Sequence, residues 1–297
     1  MAEKTVLVLG GTGFLGSHII DALLQDGYQV HAFQNDEWTM QKHQNLTLFT
    51  GDVCKKASLQ DAFNDVDIVI NTIGQMTSPE VYYAINTIGM LNILQHCVDR
   101  NVNKIIYTSS VKVYGKIDTT CTEKTVPRPM TQEGAMKLAA EYLHHYYSEN
   151  DQLPVVCLRF ANMYGPGQKK GVLVNFIQNI IKKETVTING DGEQKRSFVF
   201  ISDAVSAILL SLHYRSNGFE IFNIANETMV SINTFLDMVQ KNLGTQVAIK
   251  YNNVWMDEEN LDGFDATKAK KKLGYVPQVD LEKGLSLTCN SIKDTVV

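Results

Sequence analysis

The sequence predicts an α/β fold: a doubly wound parallel sheet with a smaller C-terminal lobe interleaved with it. Three observations predict it. An apolar, β-branched strand (5–9) opens the chain and runs directly into the glycine turn Gly10-Gly11-Thr12-Gly13-Phe14-Leu15-Gly16. Strand and helix patterns then alternate for two-thirds of the 297 residues, the signature of parallel strands joined by crossover helices. Beyond that the pattern is more mixed, with no linker, repeat or low-complexity tract.

The elements follow in order. Strand 5–9 is aliphatic on both faces, as a strand covered on both sides must be. Helix 14–25 is amphipathic. Strands are expected at 29–33, 47–51, 68–71, 104–109 and 155–160, and helices at 58–63, 81–101, 132–150 and 172–183. Further on come a strand at 186–188, a turn at Asn189-Gly190-Asp191-Gly192, a helix at 202–214 and a strand at 221–224. Ser231 precedes a helix ending at Leu243, and a short lysine-rich helix stops at Gly274. Residues 1–165, with 195–225 returning to them, make the expected dinucleotide-binding domain. Residues 166–194 and 226–297 make the expected substrate lobe.

The bulk numbers exclude several classes of function. The chain is 44% apolar, enough for a substantial core. No apolar run reaches the roughly 20 residues that span a bilayer. Met1-Ala2-Glu3-Lys4 lacks the basic and apolar blocks of a signal peptide, which places the chain in the cytoplasm. Net charge is −5 with no basic tract, which argues against nucleic-acid binding. Cys54, Cys97, Cys121, Cys157 and Cys289 are scattered and form no CxxC pair; they read as reduced, buried small residues, with no metal site implied. An anionic ligand must then be held by a few placed cations, which draws attention to Arg159 and Arg196.

The opening turn carries the first functional implication. Gly10 and Gly13 permit backbone angles and close approaches that a Cβ forbids, and Gly16 lets the helix sit close to the sheet. The free amides at that helix start, around Phe14 and Leu15, suit a pyrophosphate. An ordinary strand–helix turn is the bland alternative.

With these residues in view, the chain resembles the extended short-chain dehydrogenase/reductase family, in its NAD-dependent epimerase/dehydratase branch acting on nucleotide sugars. The landmarks are Gly10–Gly16, Gly51-Asp52-Val53, the run from Ser109 to Gly115, Lys137-Leu-Ala-Ala-Glu141, the run from Arg159 to Gly167, and Gln194-Lys-Arg-Ser-Phe198. The resemblance implies a Rossmann sheet and NAD, with NADP still open. It implies a nucleotide-diphosphate sugar as substrate. Asp52 and Val53 then meet the adenine, although a helix-capping aspartate is an alternative for Asp52. Thr72, Ile73 and Gly74 close over the cofactor, and Phe160 borders it. Ser110 bonds the sugar oxygen that is oxidised, or is simply a strand-end serine. Lys137 holds the nicotinamide ribose. Asn162 and Arg196 contact the substrate, the guanidinium offering a planar fork to diphosphate oxygens. Arg159, at the end of a buried strand, anchors structure.

The chain departs from the family pattern at three places. The family base is a tyrosine four residues before the lysine; here that position is Glu133, and no tyrosine in the chain has lysine four residues on. Three readings stay open: Glu133 is the base; the proton moves through Ser110, a water or another pocket group; or the chain binds its ligands with little turnover. A free carboxylate, with pKa ~4.3, is a poor acceptor for an alcohol proton at neutral pH. Secondly, Gln34 ends the second strand where an acid is usual, while Asp36 and Glu37 just beyond it favour NAD over NADP. Thirdly, the Asp-Glu pair that serves 4,6-dehydratases is replaced by Val111 and Lys112, which argues against that reaction. The resemblance also implies a homodimer through helices 81–101 and 132–150. Tyr83, Ile93, Cys97, Tyr142 and Tyr146 are candidates for that contact, unless they pack on the sheet.

Overall fold

The computed structural model describes residues 4–35, 42–74, 78–116, 119–252 and 263–296. Its first half is a run of βα units. These are β1 (Thr5–Leu9), α1 (Phe14–Gln25), β2 (Gln29–Gln34), β3 (Leu46–Thr50), β4 (Ile68–Asn71), α2 (Pro79–Ala84), α3 (Met90–Asp99), β5 (Lys104–Ser110), α4 (Gln132–Asp151) and β6 (Val155–Phe160). Then come β7 (Asn162–Tyr164), α5 (Val172–Ile181), β8 (Val186–Asn189), β9 (Lys195–Phe200), α6 (Ile201–His213), β10 (Phe219–Ile224), β11 (Met229–Ser231), α7 (Ile232–Leu243), β12 (Ile249–Asn252), α8 (Thr267–Leu273) and α9 (Leu281–Val296).

Seven strands form one parallel sheet in the order β3-β2-β1-β4-β5-β6-β10. The interior strands β4 and β6 are buried at every residue, as sheets covered by helices on both faces require. Two core clusters result, one on each face; α1 and α6 cover the first, α3 and part of α4 the second. Chain order reverses between β1 and β4. That switch point opens a crevice at the strands' carboxyl ends, where ligands bind in such folds. β7, β9 and β11 form a small sheet beyond this edge, and β8 pairs with β12.

The structure refines several expected elements. The 58–63 helix is two 3₁₀ turns, Lys56–Leu59 and Asp61–Phe63. The long 81–101 helix starts earlier, at Pro79 behind the Ser78 cap, and a π-helical turn at Ile85–Gly89 divides it. The short strands β7, β9, β11 and β12 and the helix α9 were not expected from the sequence.

Helix α4 begins where Thr131 Oγ1 accepts from the Gly134 amide (3.0 Å). Its sheet-facing stripe is polar: Lys137, Glu141, His144 and Ser148 are buried, while Tyr142 and Tyr146 stay exposed. The stripe is anchored by Glu141. Its carboxylate takes Arg159 Nε at 2.9 Å and Nη2 at 2.6 Å, and Ser109 Oγ donates to it at 2.5 Å. Burial alone favours a neutral guanidinium, but the bidentate carboxylate overrides this and holds Arg159 charged. Arg159 also lies over the Tyr114 ring (4.8 Å), whose hydroxyl donates to Asn223 (2.6 Å) on β10. One network thus joins α4 to β5, β6 and β10.

Breaking one side of a buried pair leaves the other charge uncompensated, at a cost of about 3–5 kcal/mol. Arg159→Met is therefore expected to lower unfolding free energy by about that amount in urea titrations, and Arg159→Met/Glu141→Met by less than the single change.

Candidate active site

The site lies where the β1 and β4 loops meet the start of α4. The glycine turn fits a dinucleotide. Gly10 has φ +88°, and a Cβ there would stand 2.7 Å from Thr72 Oγ1; one on Gly16 would stand 2.2 Å from the Gly10 carbonyl oxygen. Bare backbone is thus a packing requirement. Gly13 precedes α1 with no side-chain cap, so the first-turn amides of Phe14, Leu15 and Gly16, which have no carbonyl a turn earlier, are not covered by a cap. This is a cradle for an anion.

Around it stand the other expected cofactor contacts. Gln34 and Val53 are buried at the sheet's carboxyl edge. Asp52 Oδ1 accepts from the Cys54 amide (2.9 Å), a local turn and not a helix cap. After β4, Asn71 Oδ1 accepts from the Ile73 amide (3.1 Å) and Thr72 Oγ1 donates to the Leu9 carbonyl (2.8 Å), which ties this loop to β1. Phe160 is buried at the end of β6, within the core. Asp36 and Glu37 lie outside the described residues.

Lys137 connects the cofactor side to α4. It is buried, donates to the Thr108 carbonyl at 2.7 Å and the Ile73 carbonyl at 3.4 Å, and its Nζ sits 4.9 Å from the Tyr107 ring centre. Burial lowers its pKa to about 8, against the opposing pull of Glu133. A Cβ on Gly74 would touch its ammonium at 2.8 Å, so that glycine too makes room.

One turn earlier stands Glu133. Its Oε2 accepts from Lys112 Nζ at 2.7 Å. The pair is only partly buried, so it contributes roughly 0.2–1 kcal/mol and is no structural anchor. Lys112 follows Ser110 closely, and its amide donates to Ser110 Oγ at 3.2 Å. The buried Tyr82 hydroxyl has no hydrogen-bond partner among the described residues; burial, with the nearby Glu133 carboxylate, pushes its pKa up. Sequence reasoning named Ser110, Glu133 and Lys137, and the fold gathers them. It missed Lys112 as Glu133's partner and Glu141 as the anchor of α4.

On the far side lies a cavity of about 1070 Å³, lined among others by Lys112, Asn162, Tyr164 and Arg196. Arg196 comes from β9 and is mostly buried, with Nη1 on the Lys195 carbonyl (2.8 Å). Asn162 Nδ2 donates to the Ser197 carbonyl (3.2 Å), which positions it on the same wall. Ser110, Glu133 and Lys137 do not line this cavity; of the residues around them, Lys112 does. Among the described residues, no cluster of His, Cys, Asp or Glu could hold a metal ion.

The model of the NAD dependent epimerase/dehydratase family matches residues 6–225. The chain belongs to the NAD-dependent epimerase/dehydratase family. It is 29% identical to a putative UDP-glucose 4-epimerase of Methanocaldococcus jannaschii, over 97% of this chain and 98% of that one. The solved UDP-glucose 4-epimerase of Thermotoga maritima, with UDP-glucose, superposes with TM-score 0.90 at 29% identity, covering 99% of this chain and 100% of that one. A Thermus thermophilus UDP-glucose 4-epimerase complexed with NAD gives TM-score 0.87 at 26% identity, over 97% and 99% of the two chains. The glycine cradle is the feature by which this chain fits the family's cofactor, which exchanges hydride at its nicotinamide when bound.

Two measurements test this geometry. Gly16→Ala is expected to weaken NADH binding at least about tenfold in fluorescence titration, a loss of about 1.4 kcal/mol. Lys137→Met removes a buried ammonium whose folded pKa, about 8, lies below the 10.5 of a free lysine. The charged form is penalised in the folded state, so the wild type regains stability as pH rises between those values. The stability of Lys137→Met relative to wild type is expected to be highest at or below pH 8. It should decline toward pH 10.5, by about 3 kcal/mol at most, in urea midpoints compared across pH.

Proposed function

We propose that the chain is an NAD-dependent nucleotide-sugar oxidoreductase, moving hydride between the nicotinamide and a ring carbon of the sugar, C4. The observation that carries this reading is Lys137. Its buried ammonium is tied to the strand-end carbonyls beside the glycine cradle, on the helix whose first turn meets the wall of the Arg196 cavity.

In this reading the Phe14 and Leu15 amides hold the pyrophosphate, with Gly10, Gly13 and Gly16 making room. Asp52 and Val53 flank the adenine, Gln34 meets the ribose of the adenosine, and Thr72, Ile73, Gly74 and Phe160 close on the nicotinamide half. Lys137 fixes the nicotinamide ribose. Arg196 holds the diphosphate of the nucleotide sugar, Asn162 orients the substrate, and Ser110 bonds the reacting oxygen. The cavity then accepts the nucleotide; its wall carries the cations Lys112, Lys116 and Arg196 beside the carboxylates Asp191 and Glu193. The named relatives, UDP-glucose 4-epimerases, support a UDP-sugar. Residues 1–165 with 195–225 make the dinucleotide-binding domain, which also turns Ser110, Asn162 and Arg196 toward the sugar nucleotide, and 166–194 with 226–297 make the substrate lobe.

The reading also includes a cytoplasmic homodimer. Val81, Tyr83, Ile88 and Leu91 near the π turn, with Tyr142 and Tyr146 on α4, are exposed apolar residues suited to a second copy; Ile93 and Cys97 are buried in the core. No helix among the described residues is long and apolar enough to cross a membrane.

The test is turnover. Purified protein with NAD or NADH and UDP-glucose, UDP-galactose, UDP-glucuronate and UDP-N-acetylglucosamine is followed at 340 nm and by chromatography of the sugar products, beside Glu133→Tyr. Wild-type turnover is expected. Nicotinamide binding without wild-type turnover, with activity emerging only in Glu133→Tyr, points instead to a cofactor-binding relative with a regulatory role.

A further inference from the structure

The family position for the proton-transfer tyrosine holds Glu133, and the structure shows what Glu133 does there: it receives Lys112. We propose that Lys112 is the proton-transfer residue of this site and that Glu133 positions it. This rests on the nucleotide-sugar reading above and supplies the acid–base group that reading lacks.

Four observations carry the assignment. Lys112 lines the cavity, whereas Ser110, Glu133 and Lys137 do not. Its ammonium is held in one place, 2.7 Å from the Glu133 carboxylate. Its backbone is fixed on both sides: the amide donates to Ser110 Oγ, and a Cβ on Gly134 would stand 2.3 Å from the Lys112 carbonyl oxygen. Gly134 is thus the residue that lets the first turn of α4 lie flush against residue 112 and bring Glu133 within reach. Lastly, the two side chains are 31% and 30% exposed, enough for water to return a proton but not enough to leave the ammonium loose.

The chemistry follows from the group. An ordinary lysine is an ammonium at neutral pH, and the adjacent carboxylate favours that form. In the reducing direction Lys112 gives one Nζ proton to the carbonyl oxygen of a keto-sugar as the carbonyl carbon takes hydride from reduced nicotinamide. The C=O π pair becomes the new O–H bond, and the neutral amine regains a proton from water. In the oxidising direction the neutral amine takes the hydroxyl proton as the C–H bond breaks, its electron pair leaving as hydride to the oxidised nicotinamide. A lysine-based site therefore reduces well at neutral pH and oxidises best in alkali. A bare carboxylate at the same place is a weak base in either range. Among the described residues, the titratable and charged groups around the pair are Tyr82 from α2, Tyr107 from β5, Lys137 from α4, and Lys116, Tyr164, Asp191, Glu193 and Arg196 on the cavity wall. The buried ones respond differently from Lys112: burial pushes the Tyr82 and Tyr107 phenols up, and Lys137 does not line the cavity.

The experiment compares Lys112→Ala and Glu133→Gln with wild type. NADH affinity, read by fluorescence, is expected to stay within about threefold of wild type for Lys112→Ala. Turnover of UDP-glucose or UDP-glucuronate is expected to fall about 10²–10⁴-fold, the range of a lost general acid–base group. Added methylamine and ethylamine should restore part of it, with rates that follow amine basicity. Glu133→Gln is expected to keep measurable turnover while its alkaline pH limb moves to lower pH. In the apoprotein, ¹³C-dimethyl-lysine spectra give a readout free of turnover: the Lys112 signal, assigned by its loss in Lys112→Ala, should titrate at lower pH in Glu133→Gln. Lys112→Ala turnover within threefold of wild type, or a loss that no amine restores together with an unmoved Lys112 titration, overturns the assignment. If wild-type protein binds no NADH, the nucleotide-sugar reading itself fails, and this assignment with it.

Discussion

The buried contact between Glu141 and Arg159 is the constraint on which the site's geometry depends. It is bidentate and joined by Ser109, and it fixes α4 against the carboxyl ends of β5 and β6. Once Glu141 is fixed, the helical repeat settles what lies above it. Lys137, one turn earlier, falls on the strand-end carbonyls. Glu133, a further turn earlier, falls beside residue 112. A rotation of α4 about its axis would break this register at both positions at once. The energy of the buried pair is therefore spent less on net stability, where such pairs often break even against apolar packing, than on geometry.

The same logic explains the polar face of α4. A helix packed on a sheet usually buries an apolar stripe. Here Lys137, Glu141, His144 and Ser148 face inward while Tyr142 and Tyr146 face out. Each inward titratable group has a compensating contact or has given up its charge, whereas Ser148 Oγ finds no hydrogen-bond partner among the described residues. Lys137 has two carbonyls and a ring, and Glu141 has Arg159. His144 stacks on Tyr107 and bonds the Ala140 carbonyl, with burial lowering its pKa to about 4, so the ring is neutral.

The central sheet was legible in the sequence because its strands are continuous aliphatic runs and its first turn is glycine-dense. Strands 68–71 and 155–160 and helix 14–25 match the observed β4, β6 and α1 residue for residue. The small strands β7, β9 and β11 were not, since three to six residues of mixed character carry no periodicity to read. The 81–101 helix has no proline to mark a break, yet Gly89 lies against Val53, where a Cβ would meet Cγ2 at 2.8 Å, and the helix passes through a π turn there. For the site, single residues with a motif around them were readable: Gly10, Ser110, Lys137. Pairings were not. Lys112 and Glu133 are 21 residues apart, and only the closure of α4 onto the β5 loop, permitted by Gly134, makes them one unit. The absent tyrosine was visible as a gap in a pattern, but what occupies its place chemically is a property of the fold.

In the proposed arrangement a dinucleotide lies across the glycine cradle with its nicotinamide beside Lys137, facing the cavity that Lys112 and Arg196 line. A crystal structure of the protein grown with NAD and UDP-glucose tests it most directly. The account predicts pyrophosphate density on the Phe14 and Leu15 amides, ribose oxygen within hydrogen-bond distance of Lys137 Nζ, and the sugar between the nicotinamide ring and Lys112. Density for NAD anywhere else, or a sugar ring out of reach of Lys112, would contradict it.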